Sequence, residues 1–362
     1  MQFGNRPLDL VIIGRSILST YGNNTAALYR GLINELAQQG HRTTFLEPYD
    51  ATTTGYRDLL RSPYCEVWTY RTTDQLLAEY TEVISSADVV MLGTGIPQTD
   101  RVAHWIASEA RGITIYYDSD LARTRRSLAE GNNQPDCITC GSIANFSLFL
   151  STTGGPALED LARDYGLGFA RPLYESVDPY SFYRTDTVKT YDLGFIGNYK
   201  AERTGRLDEL LLGPARYTPN RQFALAGDHY PTDTVWPQNL TYLEHLPETN
   251  HVDFYNRQRA TLVVSRQDRQ ELGYTPSRRL LAAAACGTPV LTDPWPGIEE
   301  FFDLRRELFP VNDKGAVLDV LYHTDEEHRQ EVGAAARRRI MERHTTAHRA
   351  RQLLGYWREM MD

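Results

Sequence analysis

Length, composition and charge limit what this chain can be before any motif is considered. Of its 362 residues, 41% are hydrophobic and 23% charged, as in soluble globular proteins, and the length predicts two domains of ~150 residues rather than one core. A formal net charge of −9 argues against nucleic acid as the main partner. The chain has no run of ~18 apolar residues and no secretory leader pattern, so we expect a cytoplasmic protein without membrane insertion.

The first fifty residues predict a strand, a loop, a helix and a second strand. Leu8–Ile13 is apolar, Thr25–Gln39 carries apolar residues on one helical face, and Thr43–Leu46 restarts an extended segment. Such a βαβ unit belongs to a parallel sheet, whose ligands bind beyond the carboxyl ends of the strands. The intervening loop, Gly14–Asn24, lies at that edge, but it has neither the GxGxxG spacing of dinucleotide sites nor the Gly-Lys pair of a P-loop.

The same alternation continues through the first half of the chain. Further strands are predicted at residues 88–92, 113–117 and 146–150, and further helices at 74–84, 101–110 and 157–165. Glycine turns follow two of these strands, at Gly93-Thr94-Gly95 and at Thr153-Gly154-Gly155. All of these loops are expected at one edge of the sheet.

Two carboxylates, Asp118 and Asp120, follow the strand at 113–117. They are the candidate catalytic residues, either as a general base or as ligands of an acceptor hydroxyl. Two alternatives stay open, a cap for the helix that starts at Leu121 and a divalent metal site. We expect no bound metal, because nothing else in the chain favours a metal-dependent fold.

Other charged and sulfur groups of this region give weaker signals. Arg123, Arg125 and Arg126 can bind an anionic acceptor or form a solvated face. Cys137 and Cys140 have the spacing of half a zinc site, but no second pair completes a tetrahedral shell. Reduced thiols are therefore expected, with no metal.

A second set of alternating elements begins near residue 191. Strands are predicted at 191–196, 222–226, 240–243 and 260–265, with helices at 206–212 and 251–258. The first strand is followed by Gly197-Asn198-Tyr199-Lys200 and by Arg203, a pattern suited to phosphate. Glu244 to Pro247 ends a later strand, and His245 there is either a ligand or an ordinary loop residue. Two amphipathic helices, 325–341 and 346–360, complete the chain.

The chain is organised around Gly273–Phe302. Thr275 or Ser277 can cap a helix after Pro276, the alanine run 282–285 permits close packing, and residues 290–292 read as a short buried strand. Arg278 and Arg279 lie in the first helical turn, where cations are unfavourable to the helix dipole. A phosphate or diphosphate would compensate the charges of both arginines. The alternative is that both arginines are solvated.

This stretch, PSRRLLAAAACGTPVLTDPWPGIEEFF, resembles the nucleotide-sugar-binding segment of GT-B glycosyltransferases, most closely the CgeB-like, spore-maturation-type branch. The resemblance extends over most of the chain, and the further pieces that carry it are TYGNNTAALYRGL, YYDSD, FLSTTGGPALEDLARDYG, PLYESVDPYSFY, DLGFIGNYKAERTGRLDELLL and EHLPETNHVDFYNRQRATLVVSR. One departure concerns the donor site. Many retaining enzymes of this fold carry two glutamates where this chain has Tyr274 and Ala282.

The resemblance implies an α/β protein with two Rossmann-like domains that face a cleft and a C-terminal helix that crosses back to the first domain. The implied boundaries are an acceptor-binding domain at 1–172, a hinge at 173–190, a nucleotide-sugar-binding domain at 191–343 and the crossing helix at 344–362. The implied donor residues are Gly197, Asn198, Lys200, Arg203, His245, Leu246, Tyr274, Thr275, Pro276, Ser277, Arg278, Arg279, Gly297, Glu299 and Glu300. The implied acceptor or cleft residues are Ser19, Tyr21, Gly22, Asn23, Thr94, Thr153 and Gly154.

The expected function is transfer of a sugar from a nucleotide-diphosphate sugar to an acceptor, which can be a small molecule, a glycan or a protein. Arginines and helix amides are expected to neutralise the diphosphate without a metal, with no cofactor besides the donor. The resemblance implies retention of configuration at the transferred sugar. Glu299 and Glu300 either approach the donor or simply favour a helix start. The alternatives are a binding protein that has lost turnover, and an epimerase or phosphorylase of the same fold. An oligomer is possible.

Overall fold

The computed structural model describes residues 6–21, 23, 25–50, 55–131 and 134–360. The chain divides into two compact units, one of residues 1–174 with 346–362 and one of residues 175–345. The predicted hinge at 173–190 and the predicted roles of the two domains stay predictions.

The first unit is built on a parallel sheet of seven strands within the described residues. The strands are β1 Asp9–Ile13, β2 Arg42–Pro48, β3 Glu66–Tyr70, β4 Val89–Gly93, β5 Ile113–Asp118, β6 Leu148–Ser151 and β7 Ala170–Pro172. Their order is β3-β2-β1-β4-β5-β6-β7. The helices are α1 Ala26–Gln38, α2 Thr73–Glu79, α3 Thr81–Ser86, α4 Thr99–Glu109, α5 Leu121–Ala129 and α6 Gly155–Asp164.

The second unit repeats this plan on a parallel sheet of six described strands. These are β8 Leu193–Ile196, β9 Phe223–Gly227, β10 Leu240–Glu244, β11 Thr261–Val263, β12 Val290–Thr292 and β13 Phe309–Pro310, in the order β10-β9-β8-β11-β12-β13. The helices are α7 Thr204–Leu207, α8 Gly213–Tyr217, α9 His251–Asn256, α10 Gln267–Leu272, α11 Arg278–Ala285, α12 Lys314–His323 and α13 Glu326–Arg343.

Each sheet has its own apolar core. In the first unit, Ile12, Phe45 and Ile115 are buried together with side chains of α1. In the second, Phe195, Phe223 and Leu262 are buried with leucines of the 207–212 segment. Because burial on both faces favours continuous apolar strands, these short runs could be recognised from the sequence.

The C-terminal helix, α14 Thr346–Glu359, packs within the first unit. Ala350, Leu353 and Trp357 are buried in the same core as α1. A Cβ on Gly31 of α1 would lie 2.3 Å from Cγ2 of Thr346, so the two helices pack at a distance that only glycine allows. The predicted return of this helix to the first domain is confirmed.

Three local predictions differ from the structure. The predicted helix 74–84 is broken at Tyr80 into α2 and α3. The predicted helix 206–212 is instead a short α-helix followed by a π-helical segment, Asp208–Leu212, and then α8, which contains Pro214. Strand β3 was not predicted, because three of its five residues are exposed and its pattern shows no apolar alternation.

Candidate functional site

The loops after β8 and β9 contact each other through glycine backbones. The amide of Gly197 donates to the carbonyl of Ala226 at 2.8 Å. A Cβ on Gly227 would lie 2.2 Å from the Gly197 carbonyl oxygen, and a Cβ on Gly197 would lie 2.9 Å from Arg203 Nη2. Gly227 therefore requires glycine, whereas a side chain at Gly197 would displace the Phe195 ring and Arg203.

Arg203 lies in the turn between β8 and α7 and is only 8% exposed. Its guanidinium donates to the carbonyl of Asn198 and lies 5.3 Å above the ring of Phe195. Burial, and then the positive charge of Arg279, lower its pKa. No carboxylate pairs with Arg203 in the described part of the chain.

The N-terminus of α11 brings together the central residues of the predicted donor site. Ser277 caps the helix, since its hydroxyl accepts from the Leu280 amide at 3.3 Å. Arg278 forms an ion pair with Glu248, and its guanidinium lies 5.8 Å from the Phe182 ring centroid. Its charge is thus partly compensated by a neighbour 30 positions away in the chain.

Arg279 differs from Arg278 in having no such partner. Its partly buried side chain makes no hydrogen bond or ion pair with any residue that the structure describes. Burial lowers its pKa, as expected for a cation removed from water. Arg203 and Arg279 are close enough for the charge of Arg279 to depress the pKa of Arg203. Two poorly compensated cations, one in the turn after β8 and one in the first turn of α11, form a site suited to an anion.

The loop before α11 packs on the turn after β12. Tyr274 has a left-handed backbone, with φ of 47°, and its amide donates to the carbonyl of Pro296 at 2.8 Å. A Cβ on Gly297 would lie 2.5 Å from the Tyr274 ring, so the ring lies directly on the glycine. Thr275 and Pro276 are buried between this contact and α11.

Glu299 and Glu300 follow Gly297 in the turn Ile298–Glu300. Both side chains are exposed, and neither forms a hydrogen bond or an ion pair among the described residues. Lys200, at the end of the β8 loop, is exposed in the same way. These three predicted donor residues are available to a ligand but are not held in place by neighbours.

At the end of β10, His245 has a left-handed backbone with φ of 53°. Its Nδ1 lies 3.4 Å from Oδ2 of Asp228, whose amide donates to Oδ1 of Asn198 at 3.1 Å. The neighbouring carbonyl of Leu246 is 3.2 Å from Nε2 of His251. Burial lowers the pKa of His251 to about 4, so the ring is neutral and its Nε2–H donates to Leu246. The loops after β8, β9 and β10 are thereby linked.

Sequence reasoning missed three acidic residues of this region. Asp293 follows β12, is fully buried, and accepts from the amide of Ser265 at 3.0 Å. Burial raises its pKa. Its position after a predicted strand was a usable signal, the same one that identified Asp118. Asp228 also follows a strand, whereas the pairing of Glu248 with Arg278 has no local signature.

In the first unit, Asp118 is the last residue of β5 and is fully buried. Its Oδ1 accepts from the Asp120 amide at 2.7 Å, and its carbonyl accepts from the Thr152 amide at 2.9 Å. Asp120 occupies the N-cap position of α5, but its side chain makes no capping hydrogen bond, so the capping alternative is wrong for this side chain. Asp120 is the more accessible carboxylate of the two.

The loops after β4 and β5 are joined by hydroxyl groups. Thr94 Oγ1 and Ser119 Oγ are 2.6 Å apart. After β6, the buried Thr153 donates its amide to the Ser151 hydroxyl at 3.0 Å. A Cβ on Gly154 would lie 2.1 Å from the Tyr174 hydroxyl, so glycine is required there. The predicted residues Thr94, Asp118 and Thr153 therefore do lie on adjacent loops of one edge.

The loop after β1 is fastened by its own side chains. Ser19 is buried and donates its hydroxyl to the carbonyl of Tyr56 at 3.0 Å, and the ring of Tyr21 stacks on Tyr56 at 4.1 Å. Asn23 donates to the carbonyl of Ser16 at 2.8 Å. The predicted residue Gly22 lies outside the described residues.

The remaining charged groups near α5 are used internally. Arg123 donates to Asp136 at 2.7 Å, and this ion pair raises the pKa of Arg123 and lowers that of Asp136. Arg125 donates to the Ala157 carbonyl at 3.1 Å.

Among the described residues, no group of three His, Cys, Asp or Glu side chains could hold a metal ion. In the same residues, we find no helix with the length and apolarity needed to span a bilayer.

Part of the chain matches the model of a known protein family. Residues 203–355 match the model of a family described as glycosyl transferase-like, which begins at Arg203 and includes all of α11. This match covers less than half of the chain. No curated protein sequence matches the chain significantly.

Solved structures match the chain over nearly its whole length. A sucrose-phosphate synthase from Thermosynechococcus elongatus is 14% identical, with a TM-score of 0.70 over 98% of this chain and 99% of that one. Anabaena HepE in complex with UDP and glucose is 11% identical, with a TM-score of 0.70 over 97% and 100%. An alpha-glucosyltransferase in complex with UDP is 11% identical, with a TM-score of 0.69 over 97% and 99%.

The chain has the GT-B fold. Two parallel-sheet α/β units and the whole-length likeness to these structures carry that assignment. The family match supports the predicted glycosyltransferase superfamily, while the CgeB-like branch stays a prediction.

Proposed function

We propose that this protein is a glycosyltransferase that uses a nucleotide-diphosphate sugar as donor, with the diphosphate held by the second unit. The observation that carries the proposal is Arg279, a partly buried cation without a carboxylate partner among the described residues, beside the buried Arg203. Burying cations without compensation is unfavourable, so the site is incomplete until an anion binds.

The arrangement suits departure of a nucleoside diphosphate. Negative charge grows on the leaving group as the sugar–phosphate bond breaks, and groups already in place for that charge stabilise the transition state most. Arg203 is oriented by the carbonyl of Asn198 and the ring of Phe195, and Arg279 is fixed on the first turn of the capped helix α11.

The comparisons add support of a different kind. Anabaena HepE and an alpha-glucosyltransferase, both similar in fold, have been solved in complex with UDP, and HepE also with UDP-glucose. The glycosyl transferase-like family match covers Arg203, the loop after β10 and α11. We therefore propose UDP as the first nucleotide to test, with the base near Leu246.

For the reaction itself we propose transfer to an acceptor bound by the first unit, without a metal ion and with retention of configuration. Asp120 is the accessible carboxylate at the carboxyl edge of that sheet and would orient the acceptor hydroxyl. Asp118 would position Asp120 by accepting from its amide. In retention, the leaving phosphate itself can accept the proton of the acceptor.

A second candidate function is a nucleotide-sugar-binding protein without turnover. It is favoured by Tyr274 and Ala282, which occupy the two positions where similar retaining enzymes carry glutamates. The ring of Tyr274 packs on Gly297, and Ala282 is buried in the helix, so neither supplies a carboxylate.

A panel of nucleotide sugars tests both candidates. The protein is incubated with each donor, with and without a mixture of sugar, glycan and peptide acceptors, and nucleotide release and donor configuration are followed. Acceptor-dependent release supports the transferase, and binding without release supports the second candidate. An isomerised donor indicates an epimerase, and release that requires inorganic phosphate indicates a phosphorylase. Absence of binding to every donor would contradict the proposal.

A further inference from the structure

We infer that Tyr230 is a positioning residue for the diphosphate, acting by fixing the orientation of the peptide between Gly197 and Asn198. The inference rests on the proposed function, since it concerns how that nucleotide site is kept ready. Tyr230 lies beyond β9, outside the residues predicted from the sequence. Its hydroxyl donates to the Gly197 carbonyl at 2.8 Å.

A trans peptide directs its C=O and N–H groups to opposite sides. The hydrogen bond from Tyr230 holds the Gly197 carbonyl on the tyrosine side, so the N–H of Asn198 points away from it. That amide donates to no acceptor among the described residues. A backbone amide without an acceptor, next to Arg203 and following a strand, is the kind of group that binds phosphate oxygens.

Glycine makes this control necessary. A residue without Cβ allows the peptide that follows it to rotate at little cost, because glycine restricts the backbone torsions, ψ included, less than any other residue. In the flipped orientation the Gly197 carbonyl, rather than an amide, would face the anion and repel it. The other side of the same residue is already fixed, since the Gly197 amide donates to Ala226 at 2.8 Å.

The loop after β9 contains the same arrangement of a tyrosine hydroxyl and a glycine carbonyl, and there the following amide has an acceptor in the structure. The hydroxyl of Tyr242 donates to the Gly227 carbonyl at 3.0 Å. The N–H of that peptide, which belongs to Asp228, points the other way and donates to Oδ1 of Asn198 at 3.1 Å. Two tyrosine hydroxyls thus orient two adjacent glycine peptides, and of these two amides only that of Asn198 has no acceptor in the described part of the chain.

The ring of Tyr230 is held in place by three aromatic neighbours, which fixes the position of its hydroxyl group. It makes edge contacts with Tyr199, Trp236 and Tyr242 at centroid distances of 5.6, 5.4 and 5.6 Å. Burial raises the pKa of Tyr230 to about 12, so the hydroxyl remains a donor at neutral pH. These ring contacts would survive replacement by phenylalanine, which removes the hydroxyl alone.

The test compares affinity for a nucleoside diphosphate with affinity for its nucleoside in Tyr230→Phe. UDP, GDP, ADP and dTDP are titrated first by calorimetry, and the one that binds the wild-type protein best is used with its nucleoside. We expect the diphosphate to bind roughly threefold to tenfold more weakly in the variant, while the nucleoside changes by less than about twofold. Both ligands are titrated into one sample, so the ratio does not depend on the folded fraction.

The matched control is Tyr356→Phe in the first unit, where the lost hydroxyl donates to the Pro172 carbonyl at 2.8 Å. It removes the same kind of hydrogen bond and should leave the affinity ratio unchanged. If Tyr230→Phe does not fold, Tyr242→Phe replaces it, with a smaller loss in the same direction.

The outcomes separate this inference from the proposed function. If the wild-type protein binds none of the four diphosphates, both fall together. If it binds one and the ratio in Tyr230→Phe equals that of the wild type, the positioning role is wrong and the nucleotide site stands. An equal loss for diphosphate and nucleoside would likewise overturn the inference, because it would show a role in folding alone.

Discussion

The carboxyl edges of the two sheets differ in how their charges are satisfied. In the first unit, the buried carboxylate of Asp118 accepts from the backbone of its own loop, and Arg123 is paired with Asp136. In the second unit, Arg203 and Arg279 have no carboxylate partner in the described ranges. Both edges come from the same βα architecture, so the contrast reflects the residues in the loops and not the fold.

This difference indicates which unit is suited to a charged ligand. In the first unit, Asp118 and Arg123 already have internal partners, and the hydroxyl groups of Thr94 and Ser119 can bind a neutral molecule. An edge whose two arginines form no ion pair with a described carboxylate gains most from a dianionic or trianionic ligand. The division proposed here, a neutral acceptor on the first unit and a diphosphate on the second, follows from that contrast.

The largest expected effect comes from removing the side chain of Arg279. Arg279→Ala should weaken nucleoside-diphosphate binding by about 2–3 kcal/mol, up to roughly a hundredfold, because a charge-assisted contact with phosphate is lost. Arg203→Ala should cost about 1–3 kcal/mol, with some loss of stability because its guanidinium also holds the Asn198 carbonyl. Calorimetric titration with the nucleoside diphosphate measures both.

The control for these variants is Arg216→Ala. Arg216 belongs to the same unit and is exposed, and its partner is Asp208 at 2.9 Å. It should bind the nucleotide as the wild type does. If Arg203→Ala and Arg279→Ala also fold normally and keep full affinity, the contrast between the two edges has no bearing on nucleotide binding.

A second prediction uses pH to sharpen the comparison. Burial lowers the pKa of His251 from 6.5 to about 4, so the unfolded chain takes up a proton that the folded second unit rejects. The stability from neutral His251 is complete above pH 6.5 and is lost as the pH falls toward 4, a loss on the order of 2–3 kcal/mol. Urea unfolding of the wild type and His251→Gln at pH 7 and pH 4.5 measures it.

The variant should lose less stability on acidification than the wild type. His104→Gln, which changes an exposed histidine of the first unit, should follow the wild type. Equal acid sensitivity of the wild type and His251→Gln would show that His251 does not act as proposed.

Much of the fold could be predicted because its strands are short, apolar and buried on both faces. Elements without that pattern were missed, and β3 is the clearest case, since Trp68 and Thr69 are exposed at the edge of the sheet. The π-helical segment Asp208–Leu212 was also not foreseen, because its sequence, DELLL, favours an ordinary helix.

The sequence predicted which residues lie in the candidate site, but not which side chains they contact there. Sequence periodicity located Arg278 and Arg279 in one helical turn, yet it gave them the same expected role. Their difference arises from Glu248, which lies in a turn before α9 and reaches Arg278 only through the tertiary fold. Likewise, the orientation of the peptide after Gly197 depends on Tyr230, more than thirty positions away.

A third prediction tests the carboxylate of the first unit. In a retaining reaction Asp120 only orients the acceptor, and asparagine still accepts a hydrogen bond. Asp120→Asn should therefore lower turnover by about tenfold and by no more than ~10²-fold, with unchanged donor affinity. A larger loss together with an inverted product by NMR would identify Asp120 as a general base and contradict retention. Asp136→Asn is not a suitable control because it releases Arg123; Asp9→Asn, which breaks an exposed ion pair at the opposite edge, is suitable.

The smallest expected effect is that of removing divalent metal ions. If Arg203, Arg279 and the amide of Asn198 supply the positive potential for the leaving diphosphate, a chelator should leave the turnover unchanged within error, because the charge that a metal would provide is already fixed in the protein. The assay is run after treatment with EDTA, and again with added Mg²⁺ or Mn²⁺.

An absolute requirement for either ion would contradict this prediction and would indicate that Asp118 and Asp120 are metal ligands. Asp118 would then have to release the Asp120 amide that it now accepts from at 2.7 Å, so metal addition would also change the backbone of that loop. Metal-dependent activity in the wild type and its loss in Asp120→Asn, with nucleotide affinity unaffected by chelation, would place the metal in the first unit and reverse the contrast between the two edges.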